Sequence, residues 1–419
     1  MWKRSFGLVL SILVFTVGTA TPSEATASVD WVRQVGTASD DFSLGVSIDS
    51  TGASYVASFS YGELPGQTDR GDGDAALHAI DAVGNVTWVR QFGTRREDIA
   101  VQTAVDATGV YVLGTTEGKL GPSSTRTGDD DAFLRKYSLT GDQLWTVQFG
   151  TRRADRADDL VIDGSNAYVL GDTFGQFPGF DRRGYGGDIF LAALDLDDGS
   201  LAWARQFGTR RGENGWGVAI DASGLYTIGG TDGTFPGQRR RGDGDIVVHR
   251  FTTDGTRTWV RQFGTTQTDG GFGIAVRPEG LFVGGTTEGE FRGYQHTPAW
   301  DPWVRRMGKN TGAPIWTKQF RRAGTVSDIV LDGSMLAIGT TSRKLDGQTT
   351  GADAFVRSMS VGDGAREWTE IIGTRRSDYA ESAAMNGRTL VIAGSTDGRF
   401  PGEERFGEFD IFAAHVTVT

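Results

Sequence analysis

The stretch Trp88-Val89-Arg90-Gln91-Phe92-Gly93-Thr94 decides the fold, because the chain keeps returning to it. Tryptophans recur at Trp31, Trp88, Trp145, Trp203, Trp259, Trp316 and Trp368, a spacing of roughly 57 residues. Five of the seven are followed by a form of Val-Arg-Gln-Phe-Gly-Thr. Self-similarity at such a period means one supersecondary unit repeated, each copy burying its apolar face on its neighbours. A chain of 419 residues would otherwise suggest two or three domains. The repeat argues for one closed body instead.

One unit, from Asp98 to Gly150, shows the pattern. Ile99 to Asp106 reads as a strand of small and branched residues. Asp106-Ala107-Thr108-Gly109 is a tight turn, with Asp bonding its own backbone and Gly supplying a positive φ. Val110 to Gly114 is a second strand, Thr115 to Asp130 a long loop, and Asp131 to Tyr137 a third strand. Leu139-Thr140-Gly141-Asp142 turns the chain into a fourth, Leu144 to Phe149. Four antiparallel strands per repeat make the blade of a β-propeller. The third strand begins at Asp74, Asp131, Asp188, Asp245, Asp301, Asp353 and Asp410, which gives seven blades. No Trp strand follows the last of these, and no blade precedes Trp31. The expected fold is therefore all-β: a seven-bladed propeller of four-stranded antiparallel blades. Trp31 to Gly36 supplies the outer strand of the seventh blade and protects the seam between the termini.

The N-terminus reads separately. Trp2-Lys3-Arg4 is a positive start, Phe6 to Val17 is apolar, and Ala25-Thr26-Ala27 offers a small-residue cleavage site. Residues 1–27 are expected to be a secretory signal peptide, and residues 28–419 a single propeller domain, secreted or extracytoplasmic. A retained N-terminal anchor is the other reading. No other run is apolar enough to span a bilayer. The absence of cysteine excludes disulfides, thiolate metal sites and thiol catalysis. A formal net charge of −11 disfavours nucleic acid as a partner. A monomer is expected.

In a propeller the fourth-to-first and second-to-third connections share one face. Here that face carries the long loops and the Gly-Thr-Arg-Arg connections, whereas the opposite face has short turns such as Asp221-Ala222-Ser223-Gly224. Long loops on a rigid scaffold are where binding usually resides. Three of them repeat a Phe-Pro-Gly, at Phe177, Phe235 and Phe400, where Phe is expected to plug the space between blades while Pro-Gly turns. Arginine pairs at Arg95-Arg96, Arg152-Arg153, Arg210-Arg211 and Arg375-Arg376 lie in the connections, with Arg321-Arg322 in register. Arg182-Arg183 and Arg239-Arg240-Arg241 come from the loops. Gathered arginines hold carboxylate, sulfate or phosphate by bidentate contacts. The other arrangement open to them is pairing with loop carboxylates into a neutral rim.

Six blades place an acid at the start of the first strand: Asp41, Asp98, Asp155, Glu213, Asp269 and Asp378. The shortened sixth repeat has Gly324 there. A ring of acids can bind a cation such as Ca2+; alternatively, each acid bonds backbone N–H groups and orders its own turn. No other cofactor is expected. Trp216 interrupts a channel-lining strand of small residues, either to stack on a sugar ring or to plug the channel. His78 and His249 occupy the strand position that Arg135, Arg305 and Arg357 hold elsewhere, which suggests interchangeable packing or surface residues. No nucleophile elbow, His-Glu-x-x-His helix or phosphate loop is present.

Two resemblances follow. Gln91-Phe92-Gly93-Thr94 with Asp98, then Val105-Asp106-Ala107-Thr108-Gly109-Val110-Tyr111-Val112 and Gly114-Thr115-Thr116, resemble the SBBP family of secreted bacterial and archaeal β-propeller repeats. That resemblance covers essentially all of residues 28–419 and implies fold more than activity. Leu194 to Trp203 looks like the tryptophan-docking motif of quinoprotein propellers, which usually have eight blades and often adjacent cysteines. The expected function is a secreted, non-catalytic binding or scaffold propeller, recognising a glycan or protein on the long-loop face. The alternative is a polysaccharide-active enzyme, with Asp158, Asp159 and Asp328 as channel-mouth carboxylates.

Overall fold

The computed structural model describes residues 27–121, 128–181, 184, 186–297, 299–321, 323–341 and 351–419. The expected signal peptide, Ala27 apart, therefore lies outside the described residues, as do Arg182, Arg183 and Arg322. Among those described, every regular element is a strand, and they form seven four-stranded antiparallel sheets. Among the described residues no helix is long and apolar enough to cross a membrane.

Blades 1 to 6 run from Asp41 to Phe92, Asp98 to Phe149, Asp155 to Phe207, Glu213 to Phe263, Asp269 to Gln319 and Gly324 to Ile372. Blade 7 combines Asp378–Asn386, Thr389–Thr396 and Asp410–Val418 with the strand Ala27–Val35. That last strand pairs antiparallel with Asp410–Val418, from Ala27 opposite Val418 to Val35 opposite Ile411. The innermost strand of blade 7 also packs on that of blade 1, so the ring is closed by hydrogen bonds and by side chains. All seven third strands begin at the aspartates expected from sequence.

The repeated heptapeptide explains why blades stack. Trp88 lays its ring against Gly141 in the third-to-fourth-strand turn of the next blade and donates its indole N–H to the Leu139 carbonyl at 3.1 Å. Gly141 has φ +87°, and a Cβ there would lie 2.9 Å from the indole. Arg90 donates to the Gly141 carbonyl at 2.7 Å. Trp31, Trp259 and Trp316 make the same indole bond to the blade that follows each. Trp368 faces blade 7, where the ends of the chain replace the turn, and its indole N–H has no partner.

Glutamine works within its own blade. Gln206 accepts from the Phe177 backbone N–H at 2.9 Å and donates to the Gly175 carbonyl at 3.1 Å and to Asp188 at 2.7 Å. It thereby ties the long loop to the third strand. Gln34, Gln91, Gln148, Gln262 and Gln319 also bridge the loop to the third-strand aspartate of their own blades. The loop phenylalanine is thus set into the core: Phe177 packs between blades 2 and 3, Phe235 between 3 and 4, and Phe400 between 6 and 7. The expected plug is what forms. The following glycines turn the chain at φ +84°, +76° and +84°.

Replacing Gln206 by Ala strands a buried N–H, a carbonyl and a carboxylate at once. Such orphaned groups cost about 1–3 kcal/mol each before relaxation. Gln206→Ala is therefore expected to lower stability by about 2–4 kcal/mol, read from the midpoint of urea unfolding. An unchanged midpoint would remove the glutamine bridge from the account of the fold.

Candidate functional site

The junction acids come first, because their positions decide what remains on the surface. Asp41, Asp98, Asp155, Glu213, Asp269 and Asp378 each open an innermost strand, and all are buried. Each accepts from the threonine of the preceding Gly-Thr: the backbone N–H of Thr209 to Glu213 at 2.7 Å, of Thr265 to Asp269 at 2.6 Å, of Thr374 to Asp378 at 2.6 Å. Second-strand hydroxyls add to this, as from Thr231 to Glu213 at 2.8 Å. Across the intervening glycine stands the third-strand aspartate of the previous blade. A Cβ on Gly150 would lie 2.7 Å from Asp155 and 3.0 Å from Asp131. Each acid thus orders the turn of its own junction. Among the described residues no three metal-ligating side chains come together.

Burial, with the facing carboxylate adding to it, pushes Asp41, Asp155 and Asp269 up to about 6. Asp98 and Glu213 move in the same direction for the same reasons.

The next residues of the connection point outward. Arg95, Arg96, Arg152, Arg153, Arg210, Arg211, Arg375 and Arg376 are all exposed. The second of each pair donates its backbone N–H to the turn threonine, for example Arg211 to Thr209 at 3.0 Å. None of the eight guanidinium groups makes an ion pair or hydrogen bond with a described residue. The salt-bridged rim open on sequence does not form at these positions. In blades 3, 4 and 7 the pair instead walls a groove whose other side is the blade's own Phe-Pro-Gly loop. These grooves measure about 630, 620 and 550 Å³.

The central channel is built differently. The pairing of each innermost strand with its neighbour skips a position three residues after the junction. A bulge of this kind re-aims one side chain. The bulge positions hold Leu44, Val101, Asp158, Trp216, Phe272 with Gly273, Ser327 and Glu381. Nothing in the strand pattern signalled them, apart from Trp216 standing among small residues. Trp216 packs on Phe272 with ring centroids 4.7 Å apart, so it fills the channel against a neighbouring blade.

One residue on, Asp159 accepts from Gln102 at 3.1 Å, Leu160 N–H at 2.8 Å and Val218 N–H at 2.7 Å. Asp328 accepts from Ile329 N–H at 2.7 Å and Ala383 N–H at 2.9 Å. Both staple a bulge to the next blade. They face a cavity of about 430 Å³, which residues of the innermost strands otherwise line mainly with aliphatic side chains such as Val46, Ile162 and Ile220. Burial pushes Asp159 up to about 6 and Asp328 to about 7. Asp158, half-buried beside Asp172 and Asp159, is raised well above the usual range by loss of solvent and by those carboxylates. Glu381 meets channel water, yet the surrounding walls displace enough of it to raise the carboxyl to about 7.

His78 and His249 are packing residues, one of the two roles their strand register left open. Both are buried, and burial lowers both. His249 sits edge-on to Phe207 at 4.7 Å, where Arg135 and Arg305 lie over Phe92 and Phe263 at 3.9 Å.

This architecture defines the chain as a seven-bladed β-propeller. It is similar to the WD40 domain of Neurospora crassa Pan2, with TM-score 0.53, 9% identity, and 94% of this chain and 96% of that one covered. The WD40 propeller domain of Doa1 matches at TM-score 0.52 and 12% identity, covering 93% and 97%. These likenesses show the fold. A quinohemoprotein alcohol dehydrogenase from Comamonas testosteroni matches at TM-score 0.48 and 11% identity, covering 93% and 76%. No family model matches the chain, so the SBBP resemblance stands on its motifs alone. In sequence, the chain is 25% identical over 369 residues to the regulatory protein FlaEY of Caulobacter vibrioides, covering 77% of this chain. It spans 38% of that relative's length.

The raised carboxyls have a consequence for stability. Each holds its proton more tightly folded than unfolded. Its contribution is therefore fully present below the unfolded value near 4 and is lost as pH rises through 6 to 7. Turn aspartates such as Asp49, Asp106 and Asp221 are lowered and act oppositely, losing their contribution only as pH falls below about 4. The melting temperature is expected to peak between about pH 4 and 5 and to fall towards pH 7.5. Asp159→Asn with Asp328→Asn should flatten that fall in thermal scans. An equal slope in the variant would remove these two groups as its source.

Proposed function

We propose that this propeller is a secreted, non-catalytic binding module that recognises an extracellular ligand, glycan or protein, on its long-loop face. The observation that carries this reading is the set of arginine pairs beside the Phe-Pro-Gly loops, exposed and without carboxylate partners in the described structure. Guanidinium groups on a rigid turn are preorganised for bidentate contact with anionic oxygens. The channel acids support the same conclusion from the other side. Asp159 and Asp328 already accept backbone N–H groups across blade junctions, which is structural work. The Caulobacter relative is described as a regulatory protein, which also fits a role in recognition.

The test is a glycan array of neutral and acidic glycans, probed with residues 28–419. Every hit is then assayed for release of reducing ends. Selective binding that is lost on Arg210→Ala with Arg211→Ala, with no release at stoichiometric protein, is the expected result. Release of reducing ends that disappears on Asp328→Asn would establish the enzyme instead. Selective binding that survives every arginine replacement would move the ligand off this face.

A further inference from the structure

The arginine pairs and the Phe-Pro-Gly loops do not vary independently along the chain. Where the connection lacks the pair, the loop changes too: Ala38-Ser39 in blade 1 accompanies Leu64-Pro65-Gly66, and Thr266-Gln267 in blade 5 accompanies Phe291-Arg292-Gly293. Blade 2 has Arg95-Arg96, but its loop reads Leu120-Gly121-Pro122 in place of Phe-Pro-Gly. Only blades 3, 4 and 7 combine the pair with Phe-Pro-Gly, and these are the blades whose grooves are described above. In blades 4 and 7 a loop arginine joins the pair, four residues after the proline: Arg240 and Arg405.

These loop arginines are held but not used up. Arg240 donates one amine to the Asp243 carbonyl at 2.8 Å, while its buried Nε–H has no partner. Arg405 donates to the Glu408 carbonyl at 3.2 Å. In blade 7 two loop acids are already engaged. Glu403 pairs with Arg33 at 3.1 Å, and Asp397 accepts from the Ser377 N–H at 2.6 Å. A guanidinium tethered through one amine to a carbonyl keeps further donors for an incoming anion at little entropic cost.

We infer that blades 3, 4 and 7 carry three equivalent anion subsites, and that their common ligand is an acidic polysaccharide bearing carboxylate or sulfate on successive sugars. A site repeated in adjacent blades 3 and 4 and again in blade 7 fits a ligand that repeats its own charge. Each groove has a volume within the range of small-ligand sites. Its lining of glycine, proline and a turn threonine leaves room for a ring to approach the arginines. Several weak equivalent contacts then add through effective concentration. The inference rests on the binding reading proposed above and narrows its ligand.

The experiment uses residues 28–419 on a biosensor, with polygalacturonate, dextran sulfate, neutral dextran and monomeric galacturonate as probes. At least one polyanion is expected to bind about a hundred-fold tighter than the monomer and to weaken as salt rises. Polygalacturonate and dextran sulfate separate carboxylate from sulfate as the recognised group. Arg210→Ala, Arg211→Ala and Arg240→Ala together should cost about ten-fold or more, and so should Arg152→Ala with Arg153→Ala. Arg95→Ala with Arg96→Ala, in blade 2, should cost less than about three-fold. These side chains are exposed or half-exposed, and circular dichroism checks that each variant folds. Equal losses from blades 2 and 4 would reduce the effect to diffuse charge and overturn the subsites. Equal affinity for neutral dextran, or no binding to either polyanion, would overturn the ligand class. If the array still gave neutral-glycan hits lost on Arg210→Ala with Arg211→Ala, the binding reading would survive that failure.

Discussion

Everything in this molecule depends on how the blade junction satisfies its buried polar groups. A propeller stacks sheets face to face around an axis, and the chain must leave one blade and enter the next at the same end. That end collects unpaired backbone groups which no sheet ladder can satisfy. Here a glutamine, two acids, a threonine and a glycine do so. Gln206 ties the loop to Asp188, Glu213 takes the Thr209 N–H, and Gly208 leaves room for both carboxyls. The same arrangement recurs at most junctions, which is why forms of Gln-Phe-Gly-Thr return in five of the seven repeats.

The surface charge follows from that arrangement. In Gly-Thr-Arg-Arg the first two residues are committed inward and the last two outward. Because the acids at the junction are occupied by threonine and glutamine, they do not reach the arginines. A chain of net charge −11 thereby presents unpaired positive groups on one face. Segregation of this kind arises from a structural motif and leaves an exposed cationic face as its by-product.

The channel obeys a second constraint. Seven innermost strands converge there, and a bulge in each turns one side chain off the regular alternation. The freed N–H groups need acceptors. Blades 3 and 6 supply them with Asp159 and Asp328, each bridging to the following blade. Blade 2 uses Gln102, whose amide reaches Asp159. Two of the non-repeated acids that looked catalytic in sequence, Asp159 and Asp328, thus satisfy backbone N–H groups at the bulges, and Trp216 with Phe272 fills space beside them.

Much of the architecture was legible in the chain alone. The tryptophan period, the third-strand aspartates and the odd first strand specified seven blades, the starts of their third strands and the closure, because each is a local signal that the repeat multiplies. The candidate site was legible only in part. Sequence located the arginine pairs and the junction acids but left two arrangements open for each. Whether Arg210 meets a carboxylate depends on where Asp232 and Asp243 lie in space, and whether Glu213 faces a metal or Thr209 depends on side-chain direction. The bulges were invisible, since skipping one pairing position needs no special residue in that strand. Sequence by itself determined the repeating unit and its closure, because periodic hydrophobic and turn signals act over a few residues. Tertiary structure alone decided which charges are satisfied and which are free, because partners at a junction come from different blades far apart in the chain.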